Sequence, residues 1–495
     1  MQTKMSLIAL LLAALTPHAG AQESSPANLP FVSPMFSSHM VLQRDMKVPV
    51  WGWTTPGARV NVIMNGSVSQ AKAGADGKWE ARIGPLKAGG PYSLFVTGPR
   101  SVSFEDVLVG DVWLCSGQSN MEMGIGLVND AQKEIAAANY PKIRLFNVAK
   151  TFNTVPQSTL KGEWLLCTPD NIKRGPWEGF SAAAYFFGRE LNKQLNVPIG
   201  LIQSAWGGTN AESWTGAEGL AAMPDFAADL KLRADYNAAP AGATPPGPIK
   251  DNVNFPTVLY NGMISPVIPF AIKGAIWYQG EGNAGRAYQY RTLLPTMIGD
   301  WRHRWNEGRF PFLIVQLAGF MQRKAEPADD AWAELREAQY LTAATGKNIG
   351  IATAVDIGDA GDIHPKNKQE VGRRLALVAL ARFCGKKVAY SGPEYRSMKI
   401  EKGAIRLTFD HVGGGLVARD GKTGGFAVAG EDRKFVWADV KVEGDTLVVS
   451  AAGVPNPVAV RYAWDANPET SIFNGDGLPL FPFRTDNWPL STQPK

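Results

Sequence analysis

The stretch VLVGDVWLCSGQSNMEM at 107–123 decides how the rest of the chain is read. Its first half is a near-continuous apolar run, the pattern of a strand buried on both faces of a parallel sheet. Its second half breaks abruptly through Ser116 and Gly117 into Gln118-Ser119-Asn120. A serine at such a strand-to-loop turn is either a helix cap or a nucleophile. The chemistry that surrounds it in the fold separates the two.

Outward from this stretch the pattern repeats. Apolar runs KIRLFNV, PIGLIQSAW, KGAIWYQ, FLIVQLA and IGIATAVD read as further strands. SAAAYFFGRELNKQL, DDAWAELREAQYLTAA and KNKQEVGRRLALVALARF carry helical periodicity between or after them. Alternating strands and helices over 106–385 predict an α/β domain, its parallel sheet covered on both faces. Before it, 27–105 holds short alternating strands separated by TTPG, ADGK and AGGP, a small β-sandwich-like module. After it, 386–495 returns to an all-β pattern whose packing partner is open. The Ala/Pro-rich interruption at 221–254 reads as an exposed excursion. Residues 1–21 have the form of a signal peptide: Lys4, an apolar MSLIALLLAAL and a small-residue AGA. The expected location is therefore periplasmic or secreted, and no later run is long enough to span a membrane.

Composition excludes several classes. The 495 residues are 45% hydrophobic and 19% charged, a globular balance for more than one domain. A net charge of +5 with no basic block argues against nucleic acid as a partner. Three cysteines, Cys115, Cys167 and Cys384, lie in apolar contexts and permit at most one bridge. With no CxxC, HExxH or paired His/Cys spacing, neither a metal nor another cofactor is expected. Fifteen Trp and twelve Tyr are compatible with sugar recognition, although most will be core.

In a parallel α/β sheet, ligands bind beyond the carboxyl ends of the strands. Four loops fall there: SGQSNM after 107–115, AWGGTNAESW after 198–204, GEGNAG after 273–279 and DIGDAGDIHPKNK after 349–355. Their residue types fit acyl transfer. Ser119 needs a base, and of the five histidines only His364 lies at a strand end in a carboxylate-rich loop. Asp362 is placed to orient it. Gly207 or Gly208 by main chain, and Asn283 by side chain, could hold an oxyanion. Each has a plainer reading: a cap for Ser119, a helix start for His364 and Asp362, a turn for Asn283 and the glycines. Their convergence from four loops favours chemistry.

No GxSxG elbow is present, so the usual α/β-hydrolase is disfavoured. The order of serine, glycine, asparagine and histidine resembles the SGNH (GDSL-like) hydrolases. WLCSGQSNME (113–122), SAWGGTNAESW (204–214), WYQGEGNA (277–284) and DIHPKNKQEVGRRLA (362–376) together resemble the sialate O-acetylesterase family, and MVLQRDMKVPVWGW and GLPLFPFRTDNW extend the likeness across nearly the whole chain. The resemblance implies a three-layer α/β/α core with accessory β segments. It also implies serine-dependent removal of O-acetyl groups from carbohydrate, sialic acid or a hemicellulose such as xylan or xyloglucan, through an acetyl-enzyme. It places Ser119 as nucleophile, Gly207 and Asn283 as oxyanion donors and His364 as base. The family's usual aspartate, three residues before the histidine, is Gly361 here. Asp362 is the nearest substitute and Glu281 the alternative acid partner. Trp206, Trp277 and Arg286 are candidate sugar contacts. The competing readings are an esterase for other small esters and a catalytically inactive carbohydrate-binding protein.

Overall fold

The computed structural model describes residues 29–240, 247–249 and 251–494; the expected signal peptide lies outside them. Strand β1 runs unbroken from Ser101 to Gly117. Over 101–106 its residues alternate between exposed and half-buried, and from Val107 onward all are buried. That change marks passage from a sheet with one wet face to one covered on both. The first part pairs antiparallel with Gly89–Thr97, and Leu108–Gly110 also pair in parallel with Val41–Gln43. The boundary expected between 105 and 106 thus falls inside one strand, which welds the N-terminal β module to the core.

The remaining core strands are β2 (Tyr140–Asn147), β3 (Trp164–Cys167), β4 (Ile199–Ala205), β5 (Gly274–Tyr278), β6 (Phe312–Gln316) and β7 (Ile349–Thr353). Their order is β7-β6-β5-β1-β4-β2-β3. Every pairing is parallel except β2 with β3. All six strands expected from sequence are present, and the antiparallel edge strand β3 is an addition. From central β1 the chain builds one flank with β2 and β4, then returns to build the other with β5, β6 and β7. This reversal opens a crevice at the carboxyl end of β1, where Ser119 stands.

Two helix pairs cover the sheet. Helix α2 (Ala182–Leu195) packs on α5 (Lys368–Phe383), and α3 (Ala287–Trp305) packs on α4 (Ala331–Thr345). The α2–α5 approach is close because a Cβ at Gly372 would come within 2.6 Å of the Phe187 main-chain nitrogen. Two corrections follow. The 221–254 interruption carries a helix, Ala227–Ala238, whose residues all keep some exposure. Pro365, which the sequence pattern places in the first turn of the helix after His364, lies before α5; Asn367 caps that helix by accepting the Glu370 N–H at 3.1 Å. All three cysteines are free.

The C-terminal β segment has its own core, including Ile405, Val428, Leu447 and Tyr462. It is stapled to the catalytic core by the fully buried Arg336. That guanidinium donates to Leu317 O (2.9 Å), Ala318 O (3.1 Å), Asp465 O (2.7 Å) and Ala466 O (2.6 Å). Buried Glu334 accepts from Ser491 and Thr492 in the same seam.

Candidate active site

Gly117 ends β1 at φ 141°, a conformation costly for other residues. A Cβ there would also lie 2.1 Å from the Tyr278 carbonyl oxygen. The turn that follows places Gln118 at the cap position of a single helical turn, α1 (Ser119–Glu122). Ser119 is therefore inside the helix and does not cap it. Its Oγ lies 2.9 Å from Nε2 of His364, within the hydrogen-bond reach that a nucleophile and its base require.

His364 sits in the loop after β7. Its Nδ1 is 3.4 Å from Asp362 Oδ1, which also accepts the His364 main-chain N–H at 2.8 Å. One carboxylate thus holds the backbone and stands beside the ring. Burial lowers the His364 pKa below the ordinary value, and Lys368 adds to this; Asp362 opposes it. Low basicity keeps the imidazole neutral and able to accept a proton near neutral pH.

Glu281, the alternative partner of His364, is engaged elsewhere. Its Oε1 accepts from Asn120 Nδ2 at 2.6 Å. The same Nδ2 donates to Ile363 O (2.9 Å), and Asn120 Oδ1 accepts from Lys368 Nζ (2.7 Å). Lys368 Nζ also donates to Pro365 O at 2.7 Å. These contacts clamp the His364 loop onto the serine turn from beneath. Burial raises the Glu281 carboxyl above its usual range and lowers the fully buried Lys368 to about 7, with Glu281 and Asp362 resisting the latter.

Asn283 is fully buried. Its Oδ1 accepts from Ala211 N (2.9 Å) and Gln279 Nε2 (2.7 Å), and its Nδ2 donates to Glu212 Oε2 (2.9 Å). An amide nitrogen carries two hydrogens, so this frame orients the group and leaves one N–H to give. Gln118 Oε1 accepts the N–H of Gly280 (3.3 Å) and Gly282 (3.2 Å), holding the Asn283 loop beside the serine. Arg286, a candidate sugar contact, pairs with Glu212 Oε1 and Gln289. Its present work is to hold the carboxylate that holds Asn283.

Gly207 lies against Ser119: a Cβ there would meet Ser119 Cβ at 3.2 Å. Its N–H, expected to face an oxyanion, instead donates to Glu122 Oε2 at 2.6 Å. Glu122 in turn pairs with Lys150, whose ammonium sits 5.3 Å over the half-exposed Trp206 ring. The first turn of α1 offers another donor, because the Ser119 N–H has no intrahelical acceptor. Trp277 is corrected outright. It is fully buried, edge-on to Trp214 and Trp301, and shows no face to a sugar.

Sequence reasoning missed Trp177. It is 39% exposed and stands edge-on to His364, with ring centroids 4.8 Å apart. Trp177 and Glu178 occupy consecutive left-handed positions (φ 49° and 65°), a strained pair for side chains of that size. Their carbonyls accept from Gly124 and Gly126, which fixes the indole edge-on beside the imidazole. The signal in the sequence was only Pro and Gly flanking WE at 175–179. Among the described residues, no cluster of three His, Cys, Asp or Glu is arranged to hold a metal ion.

Three comparisons bear on this geometry. Residues 109–381 match the family described as carbohydrate esterase, sialic acid-specific acetylesterase. The sialate O-acetylesterase of Homo sapiens is 32% identical over 477 residues, covering 87% of each chain. That of Mus musculus is 31% identical over 486 residues, covering 87% of this chain and 88% of the relative. The crystal structure of a carbohydrate acetylesterase from Xanthomonas citri superposes with a TM-score of 0.80 at 39% identity, over 92% of this chain and 99% of that one.

Proposed function

The chain belongs to the carbohydrate esterase family of sialic acid-specific acetylesterases, a carbohydrate O-acetylesterase, and we propose that it works through an acetyl-enzyme on Ser119. The observation that carries the reading is the 2.9 Å contact between Ser119 Oγ and His364 Nε2, with Asp362 behind the ring.

In the proposed cycle, His364 Nε2 takes the Ser119 proton as Oγ bonds to the acetyl carbonyl carbon. The carbonyl electron pair moves to oxygen. Asn283 Nδ2 and the Ser119 main-chain N–H stabilise that charge. Gly207, its own N–H held by Glu122, forms the wall of the hole. Collapse breaks the bond to the sugar oxygen, which leaves with the proton from His364. Water then attacks the acetyl-serine, again giving a proton to His364, and acetate departs as Oγ regains it. Asp362 stabilises the imidazolium in both halves.

The substrate is an O-acetylated carbohydrate. Sialic acid and acetylated hemicellulose are the two classes proposed, and the half-exposed Trp206 and Trp177 offer aromatic surface to either. Export is proposed from the 1–21 pattern. Among the described residues no helix is long and apolar enough to cross a membrane.

The test is acetate release from acetylated xylan, xyloglucan and O-acetyl sialic acid, with Ser119→Ala alongside. A folded Ser119→Ala protein should lose at least ~10³-fold in kcat. Mass spectrometry of rapidly acid-quenched wild type should find acetyl on the peptide bearing Ser119. Near-normal turnover by the alanine variant would refute the mechanism.

A further inference from the structure

The seam between the C-terminal β segment and the catalytic core holds three cavities of about 460, 300 and 330 Å³. Each falls within the rough 300–1000 Å³ range of small-molecule sites. They adjoin one another. The first and second share Trp437 and Trp464 as walls, and the second and third share Arg323 and Glu469. The third is lined by Asp356 and Gly358, on the loop that carries His364. Together they trace a groove along the seam toward the catalytic loop.

The lining has the chemistry of a sugar-binding surface. Trp437 is 40% exposed, yet its Nε1 donates to Ala325 O across the seam at 2.7 Å. The indole is pinned while part of it faces solvent, so little ordering entropy remains to be lost on stacking. Trp464, only 8% exposed, backs the first two cavities beside it. At the far end, Phe435 and Trp488 pack with centroids 5.5 Å apart, and the Arg433 guanidinium lies 5.4 Å over Trp488. Arg433 holds a left-handed φ of 61° and presents its guanidinium to the Trp488 face, not to a carboxylate among the described residues. Aromatic faces alternate with hydrogen-bonding groups. An acyl chain would leave those polar groups unsatisfied, whereas the hydroxyl-bearing edges and apolar faces of pyranose rings match both.

We propose that this seam groove binds the polysaccharide chain whose acetyl group is presented at Ser119, with Trp437 as its stacking platform. The inference rests on the esterase reading, and it adds that the substrate is polymeric.

The experiment uses the full chain in two assays. Native gels containing soluble, deacetylated xylan or xyloglucan measure chain binding by the Ser119→Ala protein. Kinetics compare acetylated polymer with p-nitrophenyl acetate, using wild type, Trp437→Ala and Trp437→Phe. At least one polymer should retard the Ser119→Ala protein, and adding Trp437→Ala should abolish the retardation. Trp437→Ala should raise KM for acetylated polymer on the order of tenfold. Kinetics on the aryl acetate should be unchanged, and Trp437→Phe should recover most of the loss. Retardation by neither polymer, or an unchanged polymer KM in Trp437→Ala, overturns the groove while leaving the esterase reading intact. Hydrolysis of the aryl acetate with no acetate from any acetylated carbohydrate overturns the carbohydrate reading, and the groove with it.

Discussion

Replacing Asp362 with Asn keeps the size of the side chain and removes one negative charge beside the base. The worth of that charge follows from the geometry. At the observed 3.4 Å from Nδ1, a unit pair is worth ~1.2 kcal/mol in bulk water and ~5 kcal/mol at an effective dielectric of about 20. Asp362 is 44% exposed at its side chain and His364 25%, so solvent screening pulls the value toward the lower figure. About 2–3 kcal/mol of imidazolium stabilisation is expected, a kcat loss of roughly 30- to 150-fold. That is well short of the ~10⁴ seen for a buried triad aspartate. The pH profile gives a second readout. The imidazole must be neutral to act as base, so kcat/KM rises with pH through the His364 pKa. Burial lowers that pKa and Asp362 opposes the lowering; without the carboxylate it falls further, and the acid limb moves to lower pH. The assay is initial-rate hydrolysis of an aryl acetate from pH 4 to 9, with folding matched by circular dichroism. A loss under about threefold with an unmoved limb would refute the reasoning and reduce Asp362 to holding the His364 main chain.

Lys368→Met should move the limb the opposite way, to higher pH, because the ammonium depresses the His364 pKa and is protonated below its own value of about 7; the same pH series checks it, and a downward shift refutes it. Asn283→Ala should cost ~10²–10³ in kcat with KM little changed, since its N–H acts mainly as charge develops on oxygen; a change confined to KM would assign it to sugar binding. Arg336→Met strips donors from four buried carbonyls and should lower unfolding stability by at least about 3 kcal/mol in urea titration; a change below 1 kcal/mol would show that the seam does not depend on it.

Local pattern determined the six parallel strands, the helices after them and the loops that bear Ser119, Asn283 and His364, because burial on both faces of a sheet writes itself as apolar runs ending in polar breaks. The same reasoning stopped short at the carboxylates. Asp362 and Glu281 are chemically interchangeable in sequence, and only the fold shows Asp362 beside Nδ1 while Glu281 turns to Asn120. Helix α3 is absent from the helices that periodicity picks out, because Pro295 lies in its middle. Trp177, Glu122 and Lys368 gave no local sign of their places at the site. Each acts on a group far away in the chain, and Trp177 does so from a left-handed backbone that propensity disfavours for so large a residue. The docking of the C-terminal β segment was equally invisible. It depends on Arg336 and Glu334, which read as surface charges on a helix until the fold buries them against carbonyls and hydroxyls more than a hundred residues away. Periodicity along the chain records which face of an element is dry; which partner dries it is a property of the tertiary arrangement alone.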